Sequence, residues 1–117
     1  MIVIFSSASD EMEIMTPYYK LEGQTPVAVE SFMEWSLWIM SAKTTVMINE
    51  LKDSIISTRF VGIDLNPGSS NSKSQPMVFE TLVMGGAIDG KRNFYPTWDE
   101  AIQGHLKICT QVFKLSE

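Results

Sequence analysis

Two alternating segments joined by a loop constrain the fold of this chain most strongly. Ile55–Leu65 and Met77–Met84 alternate between two sets of side chains, which is the period of a β-strand with one face turned towards a core. Between them lies Asn66–Pro76, whose letters NPGSSNSKSQP are almost all turn-forming or polar. The sequence therefore predicts a β-hairpin and, built on it, an antiparallel sheet.

A helix is predicted directly after this hairpin. Thr97–Glu100 reads T-x-x-E, a capping box in which each side chain satisfies an amide at the helix start. The helix should begin at Trp98 and run to Phe113. Its apolar face, which should lie on the sheet, repeats at intervals of three and four and consists of Trp98, Ala101, Ile102, His105, Ile108, Cys109, Val112 and Phe113.

The remaining elements are predicted from shorter signals. Thr25 before Pro26 resembles a helix start, so a first helix is expected over Pro26–Ala42. The β-branched run Thr44–Ile48 predicts a strand, and Asn49–Asp53 predicts the reversal after it. Two more strands are Arg92–Tyr95, after the Asp89-Gly90 turn, and a short one at Met1–Phe5. Residues 1–24 otherwise give no clear structural signal.

The predicted class is therefore α+β, with an antiparallel sheet of three to five strands and two main helices. A chain of 117 residues fits one domain. The net charge of −5 argues against nucleic-acid binding, which Lys and Arg drive. A single cysteine permits no internal disulfide and suits a reducing compartment. No segment reads as a signal peptide or a membrane span.

His105 and Cys109 lie four residues apart and could face one metal ion. They are the only histidine and the only cysteine, whereas a structural zinc site needs four protein ligands. Their place in the apolar repeat favours burial against the sheet, which also removes them as a catalytic pair. No catalytic, metal-binding or cofactor-binding residues are therefore predicted.

Two polar groups are the candidates for ligand or partner binding. Arg59 and Glu80 have matching parity across the hairpin, so they should share one sheet face. They could stabilise the fold as a pair or contact a ligand. Lys91 and Arg92, beside the aromatic Phe94, could bind a small anionic, nucleotide-like molecule together with Arg59.

A third candidate surface is the first predicted helix. Its apolar residues, among them Trp35 and Trp38, cover more of the helix than one sheet can bury. Tryptophan is enriched in the centres of protein interfaces. Either the helix is sandwiched between the sheet and an N-terminal segment, or part of its surface is a protein interface, for which Trp35 and Trp38 are the candidates. We also expect the chain to form a homodimer.

Three phrases of the chain also resemble a protein family. They are Ile56–Asp64 (ISTRFVGID), Pro76–Gly86 (PMVFETLVMGG) and Tyr95–Ala101 (YPTWDEA), the last followed by Gly104 and His105. Small proteins of tailed phages and prophages, common in phages of actinobacteria, carry similar phrases, V-S-T-x-F-x-G-x-D, F-E-T-M-V-F-G-G and Y-S-T-W-E-E-A with G-H. The resemblance covers about half of the chain, leaving out the first 24 residues and the longer Gly68–Pro76 connection.

The resemblance implies a phage origin and carries over no catalytic residues. Together with the absence of catalytic motifs, it predicts a non-enzymatic binding protein in the host cytoplasm. Such a protein could counteract host defence by blocking a host protein or by sequestering a small anionic signal. The alternative is a minor virion or assembly protein, and a small hydrolase comes third.

Overall fold

The computed structural model describes residues 17–65 and 75–115. Six strands and two helices follow one another in these ranges. A short hairpin is followed by a helix, then by a four-stranded sheet, and a long helix ends the described chain. The strands are β1 (Tyr19–Glu22), β2 (Thr25–Ala28), β3 (Thr45–Leu51), β4 (Ser54–Phe60), β5 (Phe79–Met84) and β6 (Arg92–Tyr95), and the helices are α1 (Phe32–Ser41) and α2 (Trp98–Leu115).

The main sheet is an antiparallel meander in the order β3-β4-β5-β6. Its centre is the predicted hairpin, in which Arg59 lies opposite Glu80 and Phe60 opposite Phe79. The predicted bounds of β6 are confirmed, whereas β4 and β5 are shorter than predicted at their ends nearest the loop. The prediction of an α+β fold with an antiparallel sheet and two helices is confirmed.

Helix α2 covers one face of this sheet. It begins at Trp98 as predicted, and the Thr97 hydroxyl accepts a hydrogen bond from the Glu100 amide at 3.1 Å. Ala101, His105, Ile108 and Val112 are its buried residues. Phe113 was wrongly placed on this face: its side chain is 52% exposed. In the described ranges, neither helix has the length and apolarity to cross a membrane.

The predicted first helix is wrong in its N-terminal half. Thr25 and Pro26 belong to β2, where Pro26 pairs with Leu21, and Gly23 makes the turn with φ 65°. A proline is compatible with an edge strand because it needs no amide partner on the open side. The helix starts at Phe32 instead, where the Ser31 hydroxyl accepts a hydrogen bond from the Glu34 amide. The Met1–Phe5 strand and the Asn66–Ser74 part of the predicted loop lie outside the described residues.

The orientation of α1 is also a correction. Trp35 and Trp38 were the candidates for exposure, but both are half-buried. The Trp35 indole N–H donates to the Tyr19 carbonyl at 3.0 Å, and Trp38 packs edge-on against Phe60. The exposed apolar side chains of α1 are Phe32, Met33, Leu37 and Met40.

Strand β3 is the last correction to the predicted elements. It continues to Leu51, so the reversal falls at Lys52 and Asp53 rather than over Asn49–Asp53. Lys52 takes a positive φ of 54° in this two-residue turn, the conformation that tight hairpin turns require. The longer strand brings Asn49 under α2, where it contacts His105.

Candidate functional site

The four-stranded sheet has one face against α2 and a second face turned away from it. Side chains alternate along each strand, and residues paired across strands share a face. None of the described elements packs on the second face. The register of the three strand pairs determines which side chains lie on the second face. They include Ile48, Glu50, Ile55, Ser57, Arg59, Glu80, Leu82, Met84, Arg92 and Phe94.

An Arg–Glu–Arg cluster occupies the middle of the second face. Arg59 Nη2 lies 3.8 Å from Glu80 Oε1, and Arg92 Nε lies 3.3 Å from Glu80 Oε2. The Glu80 side chain is only 7% exposed, whereas both arginine side chains are 57% exposed. The predicted pairing of Arg59 with Glu80 on one face is confirmed. A buried carboxylate is thus held between two cations that still reach solvent.

This geometry leaves binding capacity at the surface. Each guanidinium has five N–H donors, and the contacts to Glu80 use only some of them. The cluster carries two positive charges and one negative charge, so its net charge is +1 in a chain whose total is −5. Phe94 lies directly opposite Glu80 and is 38% exposed. The cluster therefore presents fixed hydrogen-bond donors beside an aromatic ring.

Lys91 does not belong to this cluster, which corrects its predicted grouping with Arg59 and Arg92. It precedes Arg92, so its side chain lies on the opposite side of β6, beside α2. Sequence reasoning also missed the contact between Arg92 and Glu80. Alternation along β6 places Arg92 and Phe94 on the same face. The sequence did not specify which residues of β5 lie opposite them, so the contact with Glu80 could not be predicted.

A second polar constellation lies between the sheet and α2, and its members are buried except for the exposed Asn49. The Thr58 hydroxyl contacts both the Thr81 hydroxyl and His105 Nδ1, the latter at 2.7 Å. On the other side of the ring, His105 Nε2 lies 2.8 Å from Asn49 Oδ1. His105, Thr58 and Thr81 are at most 1% exposed. We name these three residues with Asn49 the polar layer.

The polar layer separates two apolar clusters of the core. Ile56, Val83, Ile108 and Val112 form one cluster, while Phe60, Val78, Phe79 and Ala101 form the other. The order along β4, β5 and α2 places a layer residue between the clusters in each element. Any other position of α2 on the sheet would leave these buried polar groups without hydrogen-bond partners, which is unfavourable. The layer therefore fixes how α2 sits on the sheet.

The hydrogen bonds of the layer define the tautomer of His105. An amide oxygen can only accept, so Nε2–H donates to Asn49 Oδ1. Nδ1 is then the acceptor for the Thr58 hydroxyl, which in turn accepts from Thr81. This arrangement is complete with a neutral ring, and burial lowers the pKa of His105. The buried ring thus joins α2 to the sheet through hydrogen bonds on both of its nitrogens.

This burial gives the stability of the protein a defined pH dependence. Above the ordinary histidine pKa of about 6.5 both states carry a neutral ring, so the contribution of His105 is complete. Below that pH His105 binds a proton in the unfolded chain, whereas the folded ring stays neutral until the pH falls to the lowered pKa of the folded state. We expect urea denaturation to show about 1 kcal/mol lost per pH unit in this window from His105.

The control is His105→Gln, which does not titrate. Its stability should depend less steeply on pH between about 6.5 and 5.5 than that of the wild type. Equal slopes for the two proteins would contradict the buried neutral ring.

Cys109 lies beside the polar layer. Cys109 lies half-buried with its sulfur 3.9 Å from Asn49 Oδ1, and burial raises the pKa of its thiol. In the ranges 17–65 and 75–115, no group of three or more His, Cys, Asp or Glu side chains could hold a metal ion. His105 is therefore buried against the sheet, as predicted, and Cys109 is partly buried beside it.

The comparisons with known proteins add no relative to this description. No protein-family model matches the chain, and neither the curated proteins nor the solved structures contain a significant match.

Proposed function

We propose that this chain is a phage-encoded binding protein that acts in the host cytoplasm by occupying a host protein. The observation that carries the proposal is the second face, with Arg59 and Arg92 fixed on the buried Glu80 beside the exposed Phe94. The phage origin is supported by the three sequence phrases described above. Counteraction of host defence would be the consequence of blocking such a partner.

The chemistry of the second face favours a protein partner with exposed carboxylates. Arginine and aromatic side chains are enriched where interfaces bind most strongly, and Ile48, Met84 and Phe94 add exposed apolar area. Carboxylates are bound well by guanidinium groups because two parallel hydrogen bonds can form. The Glu80 contacts hold the two guanidinium groups in place, which reduces the entropy lost on binding.

The test is quantitative affinity capture from host cells, followed by binding measurements with the captured protein. Arg92→Ala and Phe94→Ala should each weaken binding by about tenfold or more, because both remove contacts at the centre of the surface. Arg59 still pairs with Glu80 in Arg92→Ala, so its melting temperature should change little. Lys43→Ala, an exposed change outside this face, is the matched control and should bind like the wild type.

Other outcomes would replace the proposal. Stoichiometric binding of a nucleotide-like anion, lost in Arg92→Ala, would identify the sequestration of a small signal instead. Detection of the chain in purified virions by mass spectrometry would favour the minor virion or assembly protein. A product formed at catalytic ratios, and lost on substitution of Glu80 or His105, would make the protein an enzyme.

A further inference from the structure

A groove lies between strand β6 and helix α2, on the opposite side of β6 from the Arg–Glu–Arg cluster. Its volume is about 540 Å³. Tyr95, Gly104 and Ile108 contribute to its lining, and the polar side chains of β6 and α2 form the rest. A Cβ atom on Gly104 would overlap the end of the Tyr95 ring. The glycine therefore allows the ring to lie directly on the helix backbone.

One edge of this groove is an open strand edge. β6 is the last strand of the described sheet. The carbonyls of Lys91 and Tyr95 accept hydrogen bonds from the amides of Val83 in β5 and of Val78 just before it, and in an antiparallel ladder the bonding direction alternates along the strand. The backbone N–H and C=O groups of Arg92 and Phe94 therefore point away from β5. Such an edge can pair with a further strand.

The charges around the groove differ at its two ends. Asp99 and Glu100 lie in the first turn of α2, near Tyr95, where β6 ends. Lys91 and Lys107 lie towards the other end. Because β6 and α2 run in opposite directions across the turn at Pro96 and Thr97, the groove is acidic at one end and basic at the other.

We propose that this groove binds an extended peptide segment of a partner protein, which adds to β6 as a fifth, antiparallel strand. Main-chain hydrogen bonds to Arg92 and Phe94 supply affinity, and alternate side chains enter the groove against Tyr95 and Ile108. An antiparallel peptide runs from the acidic end to the basic end. The groove charges therefore select a basic residue at its N-terminal end and an acidic residue at its C-terminal end.

The Tyr95 hydroxyl adds a polar contact for such a peptide. Its oxygen is buried and has no hydrogen-bond partner in the described part of the chain. A buried hydroxyl without a partner is unfavourable. Because Tyr95 forms part of the groove lining, a polar group of the bound peptide can act as the hydrogen-bond partner of this hydroxyl.

The opposite edge of the sheet is a poorer site for strand addition. The register of β3 on β4 shifts between Thr45 and Met47, and such an irregularity disrupts an edge for pairing. No such shift interrupts β6. The site is also separate from the proposed contact of the second face, since its side chains lie on the other side of β6.

The experiment titrates the full chain, labelled with ¹⁵N, with the peptide Lys-Thr-Val-Thr-Val-Thr-Glu. We expect chemical-shift changes centred on the amides of Arg92, Phe94 and Gly104, and slower hydrogen exchange at Arg92 and Phe94. A peptide N-methylated at its threonines keeps the side chains but loses the main-chain donors that face Arg92 and Phe94, and it should bind at least about tenfold more weakly. Charge reversal, Glu-Thr-Val-Thr-Val-Thr-Lys, should also weaken binding.

A charge exchange distinguishes this groove from any other surface. Lys107→Glu should weaken the first peptide and strengthen the reversed one, each by about threefold to tenfold at low salt. Lys43→Glu makes the same charge change outside the groove and should leave the preference between the peptides unchanged. Arg59→Ala changes the second face and should leave peptide binding in the groove unchanged. Failure of the second-face proposal can therefore be distinguished from failure of the groove proposal.

Three results would overturn the proposal. They are equal binding of the N-methylated peptide, shift changes centred on β3 or the second face, and no shift changes at about 1 mM peptide, a concentration sufficient for a weak complex.

Discussion

Phe60→Ala should lower the free energy of unfolding by about 3–5 kcal/mol, the range for truncating a fully buried phenylalanine. Phe60 is 1% exposed and packs edge-on against Phe79 and Trp38, with ring centroids 5.3 and 5.8 Å away. It therefore connects the sheet core with helix α1. Alanine would leave a cavity that neither neighbouring ring can fill without moving.

The measurement is urea denaturation, with Phe94→Ala as the matched control. Phe94 is the same residue type in the same sheet, but it lies 38% exposed on the second face. Its truncation should cost about 1 kcal/mol or less, since little cavity forms at a surface position. Similar losses in the two variants would show that Phe60 does not belong to the core.

Removing both arginines of the cluster should have the second large effect. Arg59→Ala with Arg92→Ala leaves the Glu80 carboxylate buried without a cation, and breaking a buried pair in this way costs about 3–5 kcal/mol when the remaining charge is fully buried. The arginines are 57% exposed, so water can reach part of the site. We therefore expect a loss of about 2–4 kcal/mol.

A third substitution tests the cause of that loss. Adding Glu80→Gln to the double variant removes the unpaired charge and should restore about 1–2 kcal/mol. The same Glu80→Gln change in the wild type should be destabilising, because it removes the partner of both arginines. If Glu80→Gln changed the free energy of unfolding by the same amount in both backgrounds, the carboxylate and the guanidinium groups would not be coupled.

Local sequence patterns correctly predicted the elements for which the pattern fits only one kind of structure. The T-x-x-E sequence at Thr97 fixed the start of α2, because this capping geometry satisfies amides only at a helix N-terminus. Alternation of apolar residues placed β4 and β5 and brought Arg59 and Glu80 to one face. Thr25-Pro26 failed because threonine and proline suit an edge strand as well as a helix start.

Longer-range contacts decided the candidate functional surfaces. Whether Trp35 and Trp38 face outwards depends on what lies beneath α1, and the β1–β2 hairpin with Phe60 supplies that contact. Arg92 reaches Glu80 only because β6 pairs with β5 in one register. The separation of Lys91 from Arg92 follows instead from strand alternation, since consecutive side chains lie on opposite faces.

The sequence by itself determined the α+β class, the central hairpin, the start of α2 and the burial of His105, since each depends on periodicity or capping within a few residues. Only the tertiary structure decided which side chains meet. The Arg–Glu–Arg cluster, the polar layer and the groove beside β6 each join elements far apart in the chain, whose relative positions are set by packing the whole core.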